Sequence, residues 1–144
     1  MALEELDSAQ LVSFVQAASE ELDADFACMT ALTLPEITRG IANSTTFVFP
    51  CPPRVEFAIS SLHLEHCLPD LYWLTILGRR FVRFIGQDRV CSTPGYRVEH
   101  RENTVLIQLT ADLRDLVLDW ERFAVSKEQA KHHLGEELFF AAGR

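Results

Sequence analysis

His63, His66 and Cys67 stand in the spacing H-x-x-H-C, which on a helix puts His63 and Cys67 on one face, and His132-His133 adds further nitrogen donors. All are zinc-ligand types. The spacing matches no closed zinc site, and adjacent histidines cannot normally both turn to one ion, so boundary histidines are expected and no metal is assigned. Cys91 and Ser92 lie in the stretch VCSTPG. A hydrolytic nucleophile needs a tight glycine-flanked turn with a base beside it, and without G-x-S-x-G this segment reads as a plain turn. Asp70 stands near Tyr72, but nothing in the sequence sets the separation that paired acid and base groups need. Gly78 and Gly86 are isolated, fit neither phosphate-cradling loop, and have no lysine close by. The expectation is therefore no catalytic residue, no cofactor and no enzyme.

Charge patterning is more informative. Residues 1–38 hold eight acids and no Lys or Arg, whereas residues 39–144 balance thirteen acids against thirteen bases. The whole net charge of −8 thus sits in the first quarter. Residues 79–101 carry six arginines against Asp88 and Glu99, so the middle of the chain is locally basic. Nucleic acid is a poor partner for such a chain, because phosphate attraction needs a net basic surface, while an acidic face steers and holds a basic protein. Glu4, Glu5, Glu20, Glu21, Asp23 and Asp25 are the candidate partner-binding residues. The plainer reading is that these acids solvate a helix face and the arginines pair locally.

The elements that must position these groups are readable in outline. Ser8–Leu22 places Leu11, Phe14, Val15, Ala18 and Leu22 at one-face helical spacing. Residues 24–33 read as a strand, and Thr33, Pro35 and Glu36 open a short helix to about Asn43. Pro50, Pro52 and Pro53 mark an irregular loop, followed by a short strand over Val55–Ile59. The run Leu71–Leu77 predicts a central strand buried on both faces. A helix over Arg79–Ile85 closes at Gly86, with Phe81, Phe84 and Ile85 inward and the arginines outward. Residues 96–100 and 104–110 form a hairpin across Arg101-Glu102-Asn103, whose Asn suits a left-handed conformation. Asp112–Trp120 reads as one helix, and Ser126 with Gln129 as a capping box opening another that stops at Gly135. Trp73 and Trp120 are expected in the core, with contact anchoring as their role if exposed. The sum is an α+β fold, a single domain over residues 1–144 with a mostly antiparallel sheet and helices packed on it.

The length lets about two thirds of the unfolded surface be buried, so no staple is needed and Cys28, Cys51, Cys67 and Cys91 read as reduced core thiols. The acidic N-terminus and the absence of an apolar run of about 18 residues point to a cytoplasmic protein with no membrane partner.

From Leu68 to Phe140 the chain resembles the immunity proteins of bacterial polymorphic toxin systems, most closely immunity protein family fifty-two. The likeness rests on Leu68-Pro69-Asp70-Leu71-Tyr72-Trp73-Leu74 running into Leu77-Gly78, on Phe81-Val82-x-Phe84-x-Gly86 and on Ser92-Thr93-Pro94. It continues through Val105–Thr110 and His133-Leu134-Gly135 to Phe139-Phe140. Similar proteins usually carry a proline or small residue where this chain has Arg79-Arg80, which sets its surface apart there. The resemblance implies an antidote that binds a cognate protein toxin, often a nuclease, and blocks it, with no catalytic residues of its own. A homodimer is compatible with it. The competing readings are another acidic protein-binding module, such as a secretion chaperone or a phage-encoded inhibitor, and a small metal-dependent hydrolase.

Overall fold

A computed structural model describes residues 7–32, 48–50, 56–58, 63–65 and 67–140. The class is α+β, and the chain forms two compact units. The first comprises residues up to Ala31 together with Leu71–Leu134, and the second Leu32–Asp70 with the segment from Gly135.

In the first unit, helix α1 (Ser8–Glu21) is opened by Asp7, whose carboxylate accepts the Ala9 N–H at 2.9 Å. Its buried face is Val12, Val15, Gln16 and Ser19; of the expected stripe Val15 is buried, Leu11 and Ala18 are half-buried, and Phe14 and Leu22 face outward. The helix is rotated by one residue, about 100°, which leaves Phe14 69% and Leu22 77% exposed. A weakly amphipathic helix can turn this way because Ser19 satisfies its buried hydroxyl locally, donating to the Gln16 carbonyl at 2.9 Å.

Strand β1 (Phe26–Met29) pairs antiparallel with β4 (Leu74–Leu77), aligning Phe26 with Leu77 and Met29 with Leu74. β4 in turn pairs with β6 (Thr104–Gln108), and β6 with β5 (Arg97–Arg101), giving the order β1-β4-β6-β5, antiparallel throughout. Every β4 residue is buried, as a two-sided central strand requires. Of the predicted run, Leu71–Trp73 lead into the strand and are tied to it: the Tyr72 N–H donates to Thr75 Oγ1 at 3.0 Å, and the Leu109 N–H to the Trp73 carbonyl at 3.0 Å. Trp73 is fully buried and donates its indole N–H to the Thr110 carbonyl at 3.0 Å, while Trp120 is only half-buried, against Phe123.

After β4, helix α2 (Arg79–Ile85) ends at Gly86, whose φ of +102° starts a further short helix, α3 (Gln87–Cys91). α2 buries Phe81 and Val82, and Phe84 faces outward at 63% exposure, against the expected inward triplet. The β5–β6 hairpin turns on two residues, since Arg101 and Thr104 are already paired. The left-handed position is Glu102, at φ +41°, and not Asn103. Glutamate pays for that conformation where asparagine tolerates it. Glu102→Asn is therefore expected to stabilise the chain by about 0.5–1 kcal/mol, read as a higher thermal midpoint. An unchanged or lower midpoint would contradict a strained turn.

The helix expected over Asp112–Trp120 is instead α4 (Asp115–Leu118), broken at Asp119, followed by α5 (Trp120–Leu134). Asp119, with extended φ −140°, accepts the Arg122 N–H, so the long helix opens there and Ser126 falls inside it. The true start lacks the Glu or Gln three residues on that marks a capping box, and the pattern at Ser126 imitates one. Ser8 Oγ accepts the Leu113 N–H at 3.2 Å and donates to Asp112 at 3.4 Å, fastening the start of α1 to this segment. The Arg114 guanidinium beside Asp112 holds that carboxyl down at about 2.

The second unit contains β2 (Val48–Pro50) paired antiparallel with β3 (Glu56–Ala58), so Pro50 ends a strand where an irregular loop was expected. Proline is tolerated at such an end because it need not donate to a ladder. A 3-10 turn covers His63–Glu65. Leu68 forms a parallel bridge with Phe139 through Leu68 N–H to the Leu138 carbonyl (2.7 Å) and Phe140 N–H to the Leu68 carbonyl (2.8 Å). The helix predicted from Pro35 to Asn43, the second and third clustered prolines and His66 lie outside the described residues. No helix among the described residues is long and apolar enough to cross a membrane.

Candidate protein-interaction site

The acids singled out by charge patterning converge where α1 ends. Glu20 and Glu21 close the helix, Asp23 takes a left-handed φ of +46° in the turn, and Asp25 leads into β1; all four are exposed. Asp tolerates that backbone better than most residues, so the turn is locally affordable. Glu4 and Glu5 lie outside the described residues.

Packing places the turn against the start of α2. The Gly78 N–H donates to the Asp25 carbonyl at 2.8 Å, and a Cβ on Gly78 would stand 2.3 Å from the Ala24 oxygen and 2.7 Å from Asp25 Cα. Only glycine permits so close an approach. As a result the basic middle of the chain folds onto its acidic beginning. Arg80 reaches Asp25 at 3.6 Å, and Arg101, on the hairpin, reaches Glu20 at 3.8 Å. Arg101 also binds Glu99 at 2.6 Å, and Arg97 binds the same carboxylate. Together, Arg101 first, they hold Glu99 below the usual carboxylate range. Exposed pairs of this kind contribute about 0–1 kcal/mol each, so their effect is on surface potential more than on stability.

Glu21 and Asp23 pair with no base among the described residues. Two depressions flank Asp23. One, of about 440 Å³, lies between the end of α1 and the hairpin and is lined by Ser19, Glu20, Asp23 and Arg101 to Thr104. The other, of about 490 Å³, is lined by Asp23, Asp25, Arg79, Arg80, Arg83 and Phe84. The polarised sequence thus becomes a surface of mixed sign. Charge counting located the acids, but not their arginine partners, because those pairings join distant segments.

His66 and the side chain of His63 lie outside the described residues. No cluster of three or more His, Cys, Asp or Glu suited to a metal occurs among the described residues. Burial pushes the Cys28 thiol up to about 11, which makes it a poor nucleophile. Ser92 and His133 do meet, at 3.2 Å, a proximity the sequence reading missed because forty residues separate them. Geometry gives this pair a structural task. His133 Nε2 stands 2.9 Å from the Arg89 carbonyl, which can only accept, so that nitrogen carries the proton and is no base toward Ser92. Ser92 Oγ donates to the Asp88 carbonyl at 2.7 Å, and Arg89 Nε donates to the His133 carbonyl at 3.0 Å. The cluster ties off the exposed carbonyls where α3 and α5 end.

No protein-family model matches the chain, and no curated protein or solved structure is significantly similar to it.

Proposed function

We propose that this protein is an immunity-type antidote that binds and inhibits a cognate protein toxin of the nuclease class, with the carboxylates at the end of α1 as its electrostatic face. The observation that carries the reading is the set of four exposed acids, of which Glu21 and Asp23 have no base to neutralise them among the described residues. A nuclease presents basic groups to phosphate, and free carboxylates on a partner speed encounter with such a surface. The resemblance over Leu68–Phe140 supports the same reading. Catalysis is no part of it, and neither is a cofactor. It places the protein in the bacterial cytoplasm, where a toxin must be held before secretion.

The test is co-expression with the product of the adjacent gene, followed by gel filtration. Rescued growth together with a stable complex is the expected result, and failure of both overturns the proposal. Within such a complex, removing charge by Glu21→Lys with Asp23→Asn is expected to lower the association rate about tenfold at low ionic strength and to leave the fold intact. An unchanged rate would place the interface elsewhere.

A further inference from the structure

The depression between the α1–β1 turn and α2 carries both signs of charge together with the Phe84 ring. Asp25 and Arg80 neutralise one another at 3.6 Å. That leaves Asp23 on one wall and Arg79 and Arg83 on the other, none of them paired among the described residues. Phe84 lines the same depression at 63% exposure, and Leu22, next to Asp23 in the chain, is 77% exposed. Large apolar side chains held in water beside unpaired charges mark a surface awaiting a complement.

We propose that the occupant is a second copy of this chain, docked through the same face about a two-fold axis. The argument is charge complementarity. A polyanion that satisfied Arg79 and Arg83 would meet Asp23, and a basic partner drawn to the carboxylates would leave Arg79 and Arg83 unsatisfied. A complement must therefore carry both signs in reversed order. The face itself meets this requirement, because in a two-fold contact residue i meets j and j meets i. Asp23 then faces the partner copy's arginines, its own Arg83 faces the partner copy's turn, and each favourable pair is made twice. Phe84 and Leu22 supply the central apolar contact, and the charges form the rim. The proposal concerns the free chain and stands whether or not a toxin uses the same carboxylates.

Sedimentation velocity of the whole protein over roughly 10–300 µM tests it. A concentration-dependent dimer is expected, with Phe84→Ala weakening it about tenfold or more. Arg83→Glu is expected to weaken it at least as much, through two lost pairs and two repulsions. Both side chains are exposed, so the variants are expected to keep the parent's circular dichroism spectrum. Asp23→Arg combined with Arg83→Glu restores opposite signs across the axis and is expected to recover most of the loss. A parent chain that stays monomeric over this range overturns the proposal. So does a dimer that Phe84→Ala and Arg83→Glu leave unchanged.

Discussion

Trp73→Ala is expected to cost about 3–5 kcal/mol, the range for emptying a large aromatic site in a core. Total stabilities run to about 5–15 kcal/mol, so this single change should remove a third or more of the margin. Trp73 is completely buried, immediately ahead of the central strand, and its carbonyl accepts the Leu109 N–H that extends the β4–β6 pairing. The cost is one of volume more than of hydrogen bonding. The Thr110 carbonyl that accepts the indole N–H at 3.0 Å also accepts Gln108 Nε2 at 2.9 Å, so it is not orphaned when the indole is lost. Trp73→Phe keeps most of the volume and loses only the indole bond, so it should cost much less than the alanine variant. Urea unfolding followed by circular dichroism checks both. Equal losses for the two variants would mean that the hydrogen bond, and not packing, holds the site.

Gly78→Ala, at a buried position, is expected to cost about 1–3 kcal/mol or more through overpacking. The added methyl would meet backbone atoms, the Ala24 oxygen at 2.3 Å and Asp25 Cα at 2.7 Å, and neither can rotate away as a flexible side-chain end would. Relief requires the turn and α2 to move apart. That movement would also stretch the Gly78–Asp25 backbone bond and the Arg80–Asp25 pair. A lowered urea midpoint at unchanged slope is the expected signature, since the change alters stability and not the surface exposed on unfolding. A shift below about 0.5 kcal/mol would be that of an ordinary surface substitution and would contradict the close approach.

Local grammar was legible. The apolar run before Gly78, the glycine stop after Ile85 and the hairpin around residue 102 are written in neighbouring residues, and each appears in the fold. Helix faces and starts were less so. α1 turned by one residue because Gln16 and Ser19 can be buried at little cost. α5 opened at Asp119 because a single carboxylate caps as well as a recognisable box. Glu102 took the left-handed position next to an asparagine better suited to it, since strand register sets which residue falls at the turn.

The α+β class, the central strand, the hairpin and the contrast between an acidic first quarter and a basic middle all follow from short-range pattern and composition. What those charges do depends on long-range packing. Glycine at position 78 lets the α1–β1 turn lie against α2, and the sheet brings the hairpin beside the end of α1, so arginines from two later elements neutralise Asp25 and Glu20. Among the described residues Glu21 and Asp23 are left exposed without a base, Asp23 beside Arg79, Arg83 and Phe84. Coulomb interactions act through space and fall away over about 10 Å in salt, so the order of charges along a chain cannot reveal which of them remain unpaired.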